Sequence, residues 1–200
     1  MTTLHLSSVQ IEAMKEVANI GAGHAATALS EMLDEPIHIG IPSVEILTLA
    51  YLGERVSLRG HLVNAVHIQV LGEAPCRIVV LFEKAQALGF VSIFMGLTAD
   101  TESIPVPIIE STIKEVANII GGSYLTALTE LTGIVLVGSV PSFLSGTTKN
   151  AFLELRDVPG DQEVLYVQTS FEKGGSLIWG EFILIPENKS IDALLSVFGL

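Results

Sequence analysis

Near the N-terminus, apolar side chains recur at Val9, Ile11, Met14, Val17, Ala18, Ile20, Ala25, Ala28, Leu29 and Met32. That spacing is helical rather than alternating. It predicts a helix from Ser8 to Leu33 that ends before Pro36, and Ser7 with Gln10 three residues on forms a possible capping box at its start. Runs rich in Val and Ile then predict strands at Ile37–Ile41, Val44–Leu49, Val56–Leu71 and Arg77–Phe82. Gly60 and Asn64 mark a bend or turn inside the third run. A second helix is predicted over Lys84–Leu97.

The same order returns further along the chain. Pro107 suits an early helix position, and the helix it opens is predicted to run to Thr132. Gly133 then fits a left-handed C-terminal cap. Strands are predicted at Ile134–Val140, Ala151–Leu155, Val164–Phe171 and Leu177–Ile185, and a short helix at Ser190–Phe198. Successive strands joined by short turns pair antiparallel. The expected fold class is therefore α/β, layered in the α+β manner, with a mostly antiparallel sheet.

The likeness of the two halves extends to residue identity. KEVANI occupies residues 15–20 and again 114–119, an offset of 99. At that offset Gly23 matches Gly122, Thr27-Ala28-Leu29 matches Thr126-Ala127-Leu128, Glu31 matches Glu130 and Pro42 matches Pro141. Internal repetition of this kind marks duplication. The stretch Thr98–Pro107, with Asp100, Pro105 and Pro107, suits a break between the copies. One domain over residues 1–200 is expected, made of repeat A (1–100) and repeat B (101–200) in a pseudo-twofold arrangement. Gly21, Gly23, Gly121 and Gly122 fall inside the long helices, where each costs about 1 kcal/mol relative to alanine. Close approach of one helix to the other is the expected reason.

Composition narrows the classes. Hydrophobic residues are 49% of the chain and charged ones 16%, which excludes a disordered chain. The longest nearly apolar stretch, Ala87–Leu97, is too short to span a bilayer. The high hydropathy instead implies a large core or a sheet covered on both faces. Residues 1–8 lack the basic and apolar segments of a signal peptide, so a cytoplasmic location is expected. The formal net charge of −12 argues against nucleic acid and anionic membranes as partners. Cys76 is the single cysteine, and it lies in an apolar run as an expected inert core residue. Of His5, His24, His38, His61 and His67, only His61 and His67 approach a metal-ligand spacing, and no metal site is expected. Gly-x-x-x-x-Gly-Lys and Gly-x-Ser-x-Gly are both absent.

The candidate chemistry lies on the two long helices. Residues three and four apart share a helix face, so Glu16 and Asn19 stand together, with Glu12 one turn earlier. Ser111, Glu115 and Asn118 repeat the spacing. Asparagine is a poor mid-helix residue because its side chain competes for backbone hydrogen bonds. Its recurrence in register, with the polar positions matching as well as the apolar ones, asks for a functional reason.

The pattern Asp/Ser-x-x-x-Glu-x-x-Asn, then 22 residues, then Pro resembles the signature of the CheC/CheX/FliY phosphatases of chemotaxis. Ser111, Glu115, Asn118 and Pro141 match it in full. Glu16, Asn19 and Pro42 match it with Glu12 in place of Asp or Ser, and Glu12 beside Glu16 sets like charges four apart. Two motifs resemble the CheC arrangement rather than a single-motif CheX, and an end at Leu200 is unlike FliY with its switch domain. The resemblance implies hydrolysis of the aspartyl phosphate of a CheY-type response regulator. It makes Asn19 and Asn118 the holders of the attacking water, and Glu16 and Glu115 the partners of the regulator's lysine. Glu12 and Ser111 would support them, and Pro42 and Pro141 would be structural. No cofactor of its own is implied, since Mg²⁺ would sit on the regulator. A monomer is expected. The alternative is a non-catalytic adaptor for a receiver domain or for the deamidase CheD.

Overall fold

A computed structural model describes residues 8–57, 62–96, 104–187 and 190. The elements run α1 (Ser8–Leu33), β1 (His38–Thr48), α2 (Leu49–Ser57), β2 (Leu62–Gly72), β3 (Cys76–Glu83) and α3 (Lys84–Met95) in the first half. The second half holds α4 (Val106–Thr132), β4 (Leu136–Gly138), β5 (Ser142–Thr147), α5 (Thr148–Leu153), β6 (Glu163–Lys173) and β7 (Ser176–Pro186). The predicted final helix and the capping side chains of Ser7 and Gln10 lie outside the described residues.

All the strands join one antiparallel sheet in the order β1-β6-β7-β3-β2-β4, with β5 also pairing with β2. Each half's hairpin, β2–β3 or β6–β7, meets the other at the centre, where β3 pairs with β7. The first strand of each half crosses over. β1 pairs with β6, and β4 and β5 pair with β2. Exchanging the halves leaves this scheme unchanged. Val63–Ile68 and Val164–Thr169 also share one burial sequence.

Side chains alternate between the faces of a strand, and both faces are covered. Ile78, Val80 and Phe82 join the larger apolar cluster beneath α1, α3 and α4. Their neighbours Val79 and Leu81 join a second cluster, with Leu49, Leu52 and Val56 of α2 and Ala151 of α5. The high hydropathy of the chain follows from this doubly covered sheet. Asn64 lies within β2, paired with Phe82 and Ser145, so the bend expected there is absent; Gly60 is outside the described residues.

Two short helices replace predicted strand. Residues 49–57, assigned to strand or to no element, form α2, and the predicted strand Ala151–Leu155 is largely α5. Thr48 Oγ1 accepts from Tyr51 N at 3.3 Å, and Thr147 Oγ1 accepts from Asn150 N at 3.3 Å. The two threonines are 99 residues apart and act as N-caps. Predicted strands Ile37–Ile41 and Val44–Leu49 merge into β1, with a register shift between Gly40 and Ser43 around Pro42. Proline has no amide to give to a ladder. In the second half the corresponding stretch breaks outright, with Pro141 between β4 and β5.

The glycines divide. A Cβ on Gly21 would lie 3.1 Å from the backbone Cα of Tyr124, so α1 and α4 do approach closely there. Gly121 instead meets the sheet, where a Cβ would come within 2.9 Å of Ile68 Cδ1. At Gly23 and Gly122 nothing lies within 4 Å, which corrects the packing expectation for that pair. Gly133 has φ 72° and caps α4, as its position predicted.

Candidate functional site

Each long helix is packed on most of its circumference. Between residues 11 and 30 of α1 the exposed positions are Glu12, Glu16, Asn19, Gly23 and Thr27. Between 109 and 129 of α4 they are Ser111, Glu115, Asn118, Gly122 and Thr126. The steps are four, three, four and four, which trace one line along a helix. Val17 and Ala18 are buried, as are Val116 and Ala117, so the core holds the residues between Glu and Asn and turns both polar side chains outward.

In the second half Ser111, Glu115, Asn118 and Pro141 line one open groove of about 500 Å³, together with Pro107, Glu110 and Lys114. Pro141 reaches it because β5 pairs with β2 and brings its start alongside α4. Ser111 Oγ donates to the Ile108 carbonyl at 3.1 Å, which turns the hydroxyl back onto its own helix. Lys114 Nζ is 3.7 Å from Glu110, one turn before it. Glu110 and Lys114 were not singled out in the sequence, and Pro107 was read only as an early helix position. Their signal was spacing, with Pro107 four residues before Ser111 and Glu110 four before Lys114 on an adjoining strip of the helix.

The first half differs at one contact. Lys15 Nζ donates to Glu12 Oε1 at 2.8 Å. The residue standing for Ser111 therefore carries charge and draws the lysine to itself, which offsets the repulsion between Glu12 and Glu16. Glu16 and Asn19 are exposed as their counterparts are. The side chain of Pro42 lies outside the described residues. Among the described residues the groove is lined by the second half alone, and Glu16 and Asn19 are not part of it.

Elsewhere, burial pushes the Cys76 thiol up to about 12, so it carries little thiolate and is a poor nucleophile. His24 Nε2 lies 3.8 Å from Glu130, linking α1 to α4. Among the described residues no group of three His, Cys, Asp or Glu side chains is arranged to hold a metal ion; His5 and His61 are outside them. No helix among the described residues is long and apolar enough to cross a membrane.

Comparison with known proteins places these features in a family context. The model of the CheC-like family matches the chain twice, at residues 10–46 and 108–145, and each match contains one Glu-x-x-Asn motif with its proline. The chain is 25% identical to the CheY-P phosphatase CheC of Bacillus subtilis (strain 168), over 95% of this chain and 94% of that one. It shares its fold with FliY of Thermotoga maritima, with a TM-score of 0.79, 23% identity, and coverage of 98% and 97%. A chain of the CheX–CheY–BeF3–Mg²⁺ complex from Borrelia burgdorferi superposes with a TM-score of 0.54 at 18% identity, covering 89% of this chain and 99% of that one. The resemblance to the CheC-type chemotaxis phosphatases is thus found in both repeats and along nearly the whole chain.

Proposed function

We propose that this chain, with a CheC-like match in each half, dephosphorylates a CheY-type response regulator at its aspartyl phosphate. The observation that carries the reading is the convergence of Ser111, Glu115, Asn118 and Pro141 on one exposed groove. The 25%-identical relative named CheY-P phosphatase supports it.

An aspartyl phosphate is a reactive acyl phosphate. Its hydrolysis needs a water held in line with the bond to be broken, and positioning supplies most of the catalysis in phosphoryl transfer. The Asn118 carboxamide offers both a donor and an acceptor and does not titrate. In this reading it enters the regulator's active site and orients the water. The water oxygen attacks phosphorus, the bond to the aspartyl oxygen breaks, and inorganic phosphate leaves with the regulator's carboxylate restored. Glu115 pairs with the regulator's lysine and docks the helix. Glu16 and Asn19 do the same on α1, and Ser111 and Glu12 support them from the preceding turn. Mg²⁺ belongs to the regulator and neutralises charge there.

The lifetime of the phosphorylated regulator tests this. Wild-type protein is expected to shorten it, and Asn19→Ala with Asn118→Ala together to remove on the order of 10²-fold of that acceleration. Asn118→Ala alone is the more damaging single change, because its motif is complete. A double variant as active as wild type would mean the residues are wrongly assigned. A wild type that binds the regulator without shortening the lifetime would favour the adaptor reading, in which the chain docks a receiver domain or CheD without hydrolysis.

A further inference from the structure

The exposed line on each helix continues past the asparagine to Gly23 and Gly122. Both are helix-interior positions, where glycine is a poorer helix former than alanine. No contact among the described residues explains them. Among the described residues, no atom beyond the surrounding helix backbone and chain neighbours lies within 4 Å of a Cβ built on either, so close packing is not the reason. Neither has the positive φ that favours glycine. Thr27 Oγ1 donates to the Gly23 carbonyl at 3.0 Å, and Thr126 Oγ1 to the Gly122 carbonyl at 2.9 Å. A carbonyl of any residue at that spacing could accept such a bond. The bonds do tie the threonine hydroxyls to the backbone next to the bare helix surface. The same arrangement stands in both halves at an offset of 99.

The described residues leave both positions open to solvent or to a partner. Gly122 is seven residues after Glu115 and four after Asn118, so it lies over the motif, about 6 Å along the helix axis from the asparagine. We propose that Gly23 and Gly122 are approach-determining residues. Each lets a main-chain segment of the receiver domain rest directly on the helix backbone, which sets how deeply the neighbouring asparagine enters the receiver's site. The inference rests on the phosphatase reading above and extends it by one helical turn on each helix. The occupant follows from continuity, since a partner that receives Glu115 and Asn118 also covers the next exposed position on that line. A side chain at Gly122 would prop the partner away and withdraw Asn118 from it. Misplacement of about 1 Å at a reacting centre can cost about 10²-fold in rate.

The test compares wild type with two double variants, Gly23→Ala/Gly122→Ala and Gly23→Gln/Gly122→Gln. Three quantities are measured: thermal midpoint, affinity for a CheY-type receiver loaded with beryllofluoride and Mg²⁺, and the lifetime of the phosphorylated receiver. Both variants are expected to melt at or above the wild-type midpoint, because glycine is replaced in open space. The glutamine variant is expected to weaken binding by about tenfold or more and to lose most of the acceleration, with the alanine variant between it and wild type. Stability and activity then move in opposite directions, which a merely structural glycine would not produce. A glutamine variant that binds and dephosphorylates within about twofold of an active wild type overturns the inference and leaves the phosphatase reading standing. A wild type that neither binds nor dephosphorylates overturns both.

Discussion

His67 is the histidine among the described residues whose surroundings oppose its charged form. It sits in β2 with its side chain largely buried, opposite Val79 on β3 and Ser142 on β5. Burial lowers its pKa from the ordinary value, and Arg77 adds to the effect. Glu154, 3.8 Å away and half exposed, works against it without prevailing. Arg77 is itself held by Asp157 in a forked ion pair, with Nη1–Oδ1 at 2.9 Å. The fold thus prefers neutral His67, while the unfolded chain protonates near the ordinary value of about 6.5. The unfolded state binds more protons below that pH, so the stability linked to His67 is full above about 6.5 and declines as pH falls through it. Urea unfolding midpoints at pH 7.5 and 5.5 check this. The drop on acidification is expected to be smaller in His67→Gln than in wild type. Comparison with the variant is needed because a chain of net charge −12 gains from acidification elsewhere.

At the scale of elements, α2 and α5 are where sequence pattern and structure part. Ala151, Leu153 and Leu155 alternate with polar or larger residues as a strand would. In the structure Leu153 is exposed, while Ala151 and Leu155, four apart, are buried. A six-residue helix is too short for its period to be distinguished from alternation, and tertiary packing makes the choice. The legible signal was the cap, for Thr48 and Thr147 recur at the repeat offset. Thr147→Ala is expected to cost about 1 kcal/mol, read as a lower urea midpoint with an unchanged slope. An unchanged midpoint would show that α5 does not depend on its cap. The long helices were legible because their apolar residues extend over many turns, and the ends of α4 also carry Pro107 and Gly133. The expectation of close packing did not separate the four helix glycines, although Gly23 and Gly122 stand four residues after Asn19 and Asn118 on the exposed strip. Whether Gly21 meets Tyr124, or Gly23 meets nothing, depends on what lies opposite.

At the scale of the molecule, the crossing of β1 to β6 and of β4 and β5 to β2 has a consequence for folding. Neither half can pair its own first strand within itself as the whole chain does. A half taken alone also exposes the edge of its central hairpin, where β3 and β7 meet. Unpaired edges of this kind drive association. Residues 1–100 and 101–200 produced separately are expected to show no cooperative melting as monomers. Mixed, they are expected to recover a single transition like that of the intact chain. Differential scanning calorimetry with size-exclusion chromatography checks both, and a monomeric half that melts cooperatively would refute the interdependence.

The duplication, the long helices, the antiparallel hairpins and the Glu-x-x-Asn strips could be read from the amino-acid sequence. Each is written in short-range periodicity, or in identity between copies that survives any fold. Two things required the tertiary structure. One is strand exchange between the halves, since pairing partners more than 60 residues apart leave no local pattern. The other is the geometry of the candidate site. Pro141 joins Ser111, Glu115 and Asn118 only because β5 pairs with β2. Gly21 and Gly121 are both turned inward, yet one meets Tyr124 of α4 and the other Ile68 of β2, which no spacing along the chain records.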